Sequence, residues 1–221
     1  MVDVDSVDQV LRTTRSVRRR IDFDRPLEPG VVEACIAAAV QAPTGLNREA
    51  WRFLVVTEPG PKQALAALYR EAFDELTEET LRTLRAEHPE LEIPEPRPTY
   101  RMLADRLQDF PALFLVCSLG RPEPANVARQ VAFYGSVLPA AWSLMLSLRA
   151  RGIGATWTTL LVAREHETAR VLGIPEDVTP TVLLPAGYMR DAVLRPAERR
   201  APREVTYWNA WGRRRGDDAD G

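Results

Sequence analysis

Two short stretches hold the residue types best suited to chemistry. Thr14-Arg15-Ser16-Val17-Arg18 sets two arginines around a hydroxyl, and fixed cations beside an OH group suit a phosphate. Ala42-Pro43-Thr44-Gly45-Leu46-Asn47-Arg48-Glu49-Ala50-Trp51 is a turn-rich loop ahead of an apolar strand. Its one amide side chain, Asn47, suits the polar edge of a planar heterocycle. Together the two stretches have the chemistry of a flavin site. Taken singly, each has a plainer reading. Arg18, Arg19 and Arg20 can be a solvated basic run, Asn47 a turn former, Thr158 and Thr159 plain strand residues, and Arg199 and Arg200 tail charges.

Other chemistries lack their residues. There is no Gly-x-Ser-x-Gly elbow and no phosphate loop of the Gly-Lys-Ser/Thr type, and Gly152-Ile153-Gly154-Ala155-Thr156-Trp157 fails the dinucleotide fingerprint at its third glycine. His88 and His166 are the only histidines and stand apart from Cys35 and Cys117, so neither a metal site nor a Cys-His nucleophile is expected. If the chain is an enzyme, an organic cofactor carries the chemistry.

The elements must position these residues within 221 residues that are 45% hydrophobic and 27% charged, the composition of one ordinary globular domain. With 29 basic against 31 acidic side chains the formal charge is -2. No global field draws in nucleic acid or an anionic membrane, and any anion site is local. Both cysteines sit in apolar sequence and read as small buried hydrophobes, which fits a reducing cytoplasm. The start is acidic, without the pattern of a secretory signal. Residues 130–148 carry no charge and approach the length of a membrane span, but Gly135, Ser136, Pro139, Ser143 and Ser147 dilute them. A buried central helix is expected there, with Ala140, Ala141 and Ser143 free to pack against a second copy.

Helices and strands alternate. Ser6 can cap a helix reaching Thr14, and Pro29 opens one that Pro43 ends. Phe53-Leu54-Val55-Val56-Thr57 reads as a buried strand, followed by a helix from Pro61 to about His88. Residues 89–98 form a proline-rich irregular segment, a candidate lid. Ala112-Leu113-Phe114-Leu115-Val116-Cys117 is a second strand and 151–159 a turn into a third. Arg164 to Leu172 is a helix stopped by Gly173 and Pro175, and a last core strand begins at Thr181. Residues 1–212 are expected to form a single domain and 213–221 a charged, disordered tail. Helices interleaved with few strands give a layered α+β or α/β architecture.

Four motifs in order now support a resemblance: Arg15-Ser16-Val17-Arg18, the 42–51 loop, Arg151-Gly152-Ile153-Gly154-Ala155-Thr156-Trp157-Thr158-Thr159, and Arg199-Arg200-Ala201-Pro202. From about Val7 to Trp211 the chain resembles the FMN-dependent nitroreductase family, in style its actinobacterial NAD(P)H nitroreductases. The resemblance implies an α+β fold, an α/β/α sandwich with a central mixed, mainly antiparallel sheet. It also implies an intertwined homodimer with FMN at two interface sites and each C-terminal arm crossing the partner. Arg15, Ser16 and Arg200 would contact the FMN phosphate, with Arg199 and Arg203 close rivals of Arg200. Arg18 would reach the pyrimidine side and raise the flavin potential. Asn47 would bond the ring edge with Thr44 beneath it. Thr158, Thr159 and Leu160 would face the other side, near N5.

The implied activity is ping-pong transfer of two electrons from NAD(P)H to a nitroaromatic, quinone or other flat electron-poor acceptor, with no side chain assigned as catalytic acid. Tyr69, Phe73, Tyr100 and Trp142 are candidate pocket aromatics, the first two fitting a core equally well. The same fold hosts dehalogenases and flavin-dependent dehydrogenases. A non-catalytic flavin store and a cofactor-free interaction protein are the readings outside enzymology. The chain departs from the family pattern in three places: Thr14 replaces an arginine, Arg20 an aromatic, and Glu49-Ala50 the common Gln-Pro.

Overall fold

A computed structural model describes residues 3–87, 90, 98–191 and 193–215. Its centre is a four-stranded sheet in the order β1 (Trp51–Val56), β2 (Ala112–Leu119), β4 (Val178–Tyr188), β3 (Ile153–Ala155), with every ladder antiparallel. The only parallel element among the described residues is the single bridge Gly120–Val178, so the sheet is mainly antiparallel, as expected. Strands β2 and β4 are buried along nearly their whole length, because both faces of the sheet are covered. Side chains alternate between faces with period two. Ala112, Phe114, Val116, Val182 and Leu184 meet one core, and Leu113, Leu115, Cys117 and Leu183 the other.

Helices α2 (Pro29–Ala39) and α5 (Val127–Ala150) cover the first face. Helices α3 (Pro59–Glu87), α4 (Pro98–Arg106) and α6 (Glu165–Leu172) cover the second. Two further helices, α1 (Val4–Thr13) and α7 (Pro202–Val205), flank this sandwich in sequence. Helix α1 starts two residues before Ser6, whose hydroxyl lies inside the first turn and donates to Asp3. Helix α4 has no counterpart among the expected elements, whereas β4 begins three residues earlier than expected. The prolines explain the second difference. Pro180 cannot donate to a ladder, but a bulge between Val116 and Cys117 absorbs it, and the neighbouring Thr181 hydroxyl donates to the Val116 carbonyl at 2.7 Å.

Helix α5 is long and apolar enough to cross a membrane, and 39% of its most apolar window is buried inside the fold. Val137, Ala140, Ala141, Leu144, Met145 and Leu148 form its core face. Ala140 and Ala141 are therefore buried against the sheet and are not free to pack on a second copy, because the apolar stripe has its own sheet to cover. The face left open carries Val131 and Trp142, at 67% and 40% exposure. The 89–98 lid lies outside the described residues except for Glu90 and Pro98, and Pro98 opens α4. The charged tail lies outside them beyond residue 215.

Candidate functional site

The segment 15–18 is clipped to the end of β3. The Val17 N–H donates to the Ala155 carbonyl at 3.0 Å, and the buried Thr156 hydroxyl donates to the Val17 carbonyl at 2.8 Å. Gly154 permits this approach, since a Cβ there would stand 2.9 Å from Val17 and Met189 side chains. With Val17 buried, its neighbours Ser16 and Arg18 face outward into two clefts.

These clefts share Trp157. The first, about 690 Å³, is lined by Arg15 and Ser16 on one side and by Tyr134, Leu138 and Trp142 of α5 on the other. The second, about 390 Å³, is lined by Arg18, Tyr69, Phe73, Tyr100, Thr158, Thr159 and Leu160, among others. Both volumes fall in the range of roughly 300–1,000 Å³ usual for small-molecule sites. One end is cationic and hydroxylic and the middle aromatic. Behind them, Thr158 is tied to β4 by reciprocal main-chain bonds with Leu183, at 3.0 and 2.9 Å. Thr159, exposed, caps the 3-10 turn Leu160–Arg164. The fold thus brings together Arg15, Ser16, Arg18, Thr158, Thr159 and Leu160.

Thr44, Asn47 and Arg200 stand apart. Thr44 lines a different cleft, about 640 Å³, between the 44–48 loop, the end of β2 and the start of α5. That cleft uses Arg129, Ala132, Phe133 and Ser136, whereas the first uses Val131, Tyr134, Leu138 and Trp142. At about 100° per residue these sets lie on nearly opposite sides of α5. Asn47 is exposed, with φ 52°. Arg200 is also exposed and lines neither flavin-type cleft. The C-terminal arm does pass near, since Arg15 Nη1 donates to the Arg195 carbonyl at 3.0 Å. Thr14 offers the first cleft no free proton, because its hydroxyl donates to the Val10 carbonyl at 2.6 Å.

Of five buried polar side-chain atoms left unpaired among the described residues, two belong to residues that line these clefts. Arg18 Nε and Thr44 Oγ1 have no hydrogen-bond partner among the described residues, and an orphaned buried donor or hydroxyl is costly unless something else satisfies it. Arg18 also lies 4.8 Å from the Tyr100 ring centroid, which fixes its guanidinium over α4. The residues present therefore fit FMN: cation and hydroxyl for a phosphate, Trp157 and its neighbours for an aromatic ring, and an unsatisfied arginine beside them. Tyr69 is only 4% exposed, and burial holds its phenol above the ordinary value, opposed by its bond to Thr158 and by the Arg18 charge. No group of three or more His, Cys, Asp or Glu able to hold a metal occurs among the described residues.

Tyr69, Phe73, Tyr100 and Trp142 all line these clefts. Trp157 and Tyr134 are additions that sequence reasoning did not single out. Trp157 directly precedes the two threonines that were, Thr158 and Thr159, and the strand-like alternation from Ala155 onward could have placed it. Tyr134 lies inside the uncharged run of α5, where nothing local distinguishes a cleft residue from a core one.

A cationic pocket end joined to an aromatic one, on an α/β/α sandwich, suits a phosphorylated planar ligand. The family model of the Nitroreductase family matches residues 11–188, and the chain belongs to that family. It is 29% identical over 192 residues to the iodotyrosine deiodinase of Drosophila melanogaster, covering 85% of this chain and 64% of that protein. It thus spans slightly under two thirds of the length of that relative. Among solved structures it is similar to the FMN-dependent nitroreductase NfnB from Mycobacterium smegmatis in complex with NADPH (TM-score 0.68, 17% identity, 93% of this chain and 99% of that one). It is also similar to an iodotyrosine deiodinase bound to FMN and 3-iodo-L-tyrosine (TM-score 0.63, 21% identity, 93% and 100%).

Proposed function

We propose that this chain is an FMN-dependent oxidoreductase that passes two electrons from NAD(P)H to nitroaromatics, quinones or similar flat electron-poor acceptors. The gathering of Arg15, Ser16, Arg18 and residues 157–160 around two adjoining clefts carries the reading. FMN, when bound, would supply the centre that accepts a hydride and returns two electrons. Arg15 and Ser16 hold the phosphate by charge-assisted hydrogen bonds. Arg18 places a fixed cation where negative charge develops on reduction, and a preorganised cation in a partly dry site favours the charged form. Trp157 walls both clefts, keeping bulk water from the ring.

The site is completed by a second copy. Thr44 lies on the far side of α5 from Arg15, so one chain does not bring both to one ligand, whereas a symmetric dimer that sets the Thr44 and Asn47 loop of one copy against the open α5 face of the other can. Val131 and Trp142 give that face its apolar character. Arg200 reaches a phosphate by the same route, on an arm that already passes Arg15. The single-domain reading of residues 1–212, the cytoplasmic setting and the 89–98 lid belong to this proposal as well.

A second reading has its own support. The similarity to iodotyrosine deiodinases favours reductive dehalogenation of a halogenated aromatic amino acid by the same flavin. An anaerobic absorbance titration of the FMN-loaded protein separates the two. Bleaching by NADPH or NADH and recovery on adding a quinone supports the first. Recovery only with 3-iodotyrosine, after chemical reduction, supports the second. A protein that holds no FMN overturns both.

A further inference from the structure

Tyr69 and Thr158 form a hydroxyl pair at the floor of the second cleft, with Tyr69 Oη 3.0 Å from Thr158 Oγ1. Distance alone leaves the proton direction open, but the surroundings decide it. Tyr69 is 4% exposed, and a phenol that deep must donate its proton to something. Among the described residues its only acceptor is Thr158 Oγ1. Thr158 Oγ1 also receives a long contact from the Leu160 N–H at 3.5 Å. A threonine oxygen has two acceptor positions and one proton. With both acceptor positions taken from behind, the Thr158 proton has the cleft as its remaining outlet. Burial keeps Tyr69 a neutral phenol, and the Arg18 charge, which pulls the other way, polarises its O–H and makes it a better donor.

From this geometry we infer that Tyr69 is a positioning residue: it commits the Thr158 hydroxyl to donate into the cleft, toward N5 of the bound ring. The inference rests on the FMN reading above, and extends it by naming the residue that sets the polarity of that one hydrogen bond. Without Tyr69 the Thr158 proton is free to turn back into the fold, and the cleft would meet a lone pair or nothing. Thr159, exposed and one residue on, has no such partner behind it among the described residues.

The test is the 15N chemical shift of N5 in labelled oxidised FMN, together with the FMN dissociation constant, in wild type, Tyr69→Phe, Thr158→Val and Thr158→Ser. Thr158→Val should move the N5 resonance toward that of flavin lacking an N5 hydrogen bond. Tyr69→Phe should produce most of the same movement although it leaves Thr158 in place, Thr158→Ser should restore the wild-type shift, and the double variant Tyr69→Phe/Thr158→Val should match Thr158→Val alone. Tyr69→Phe conserves the ring packed in the core, and a thermal melt checks that it folds. If it binds FMN with the N5 shift of wild type while Thr158→Val differs, the positioning role is overturned and the FMN reading stands. An N5 shift unmoved in both variants also overturns the inference. Failure of wild type to bind FMN overturns the reading beneath it.

Discussion

The segment 15–18 and the loop 44–49 carry comparable shares of the expected flavin site, yet the fold holds them in opposite ways. The first is sealed to the end of β3 by one main-chain bond, by one from the side-chain hydroxyl of fully buried Thr156, and by contacts so close that only glycine fits at 154. In the second, Leu46, Asn47 and Glu49 all have positive φ, at 54°, 52° and 47°, and Leu46 is 93% exposed. A leucine in the left-handed region costs about 1–2 kcal/mol, and a large apolar side chain in water gains nothing by burial there. One tie, from the Gly45 N–H to Ser136 Oγ at 3.0 Å, fixes the loop to α5. Under the dimer proposed above, the contrast corresponds to one half of the site finished inside the chain and the other left exposed and strained, as a surface awaiting a second copy would be.

The largest test of that contrast is steric. In Gly154→Ala the new Cβ meets Val17 Cβ at 2.9 Å, and in Gly187→Ala it meets Ile21 Cγ2 at 2.7 Å and Pro111 Cδ at 2.9 Å. Each should cost about 1–3 kcal/mol, as overpacking does, read as a lowered melting midpoint, and Gly154→Ala should weaken FMN binding as well. A Gly154→Ala protein of unchanged stability and affinity would mean that the clip does not set the position of Arg15 to Arg18.

Next in size is Arg15→Ala. A hydrogen bond to a charged group is worth about 1.5–3 kcal/mol, so the FMN dissociation constant should rise by roughly 10- to 100-fold, measured by fluorescence quenching, with little change in melting midpoint because Arg15 is exposed. Wild-type affinity in this variant would remove Arg15 from the phosphate site and leave Arg200 or its neighbours to serve it.

Physical reasons decide which parts of this architecture were legible. Strand β2 and helices α2, α3, α5 and α6 announce themselves through apolar period and through Pro or Gly at their ends. The chemistry of Arg15, Ser16 and Arg18 was visible because a cation and a hydroxyl keep their meaning wherever the chain runs. Helix α4 was not, because Arg101, Asp105 and Arg106 interrupt a short apolar pattern; besides the local pairs Arg101–Asp105 and Arg106–Asp109, the ion pair of Arg101 with Asp74 appears only once α3 lies alongside. Pro180 hid the start of β4, since the bulge that accommodates it, with Thr181 as the extra residue, is defined only by pairing with β2. That Thr44 and Asn47 fall across α5 from Arg15 depends on the rotation of one helix, and adjacency in sequence carries no trace of it.

A reversed sign sharpens the comparison further. Leu46→Gly removes the penalty of a side chain at φ 54° and adds chain entropy on unfolding, so the net change should be a stabilisation of about 0.5–1 kcal/mol. Denaturant melts of the FMN-free protein measure it. The same variant should loosen the loop that the second protomer's ligand meets, giving a more stable protein that binds FMN less well. Destabilisation instead would mean that Leu46 already packs on something in solution, and a second copy is the first candidate.

The smallest expected effect lies in the sheet behind the finished half. Cys117 is fully buried on β2, and burial, with Glu165 nearby, pushes its thiol up to about 12. An unfolded thiol titrates near its ordinary value, lower than this, so the folded state holds the proton more tightly. Its contribution to stability is therefore complete below the ordinary thiol range and is lost as pH rises through it toward about 12. Other groups titrate in the same window, so the useful quantity is a difference: wild type should lose more stability than Cys117→Ala between mildly and strongly alkaline buffer, by denaturant melts of both. Equal losses would show that the thiol meets water in the native state, and that the sheet supporting segment 15–18 opens more readily than its packing implies.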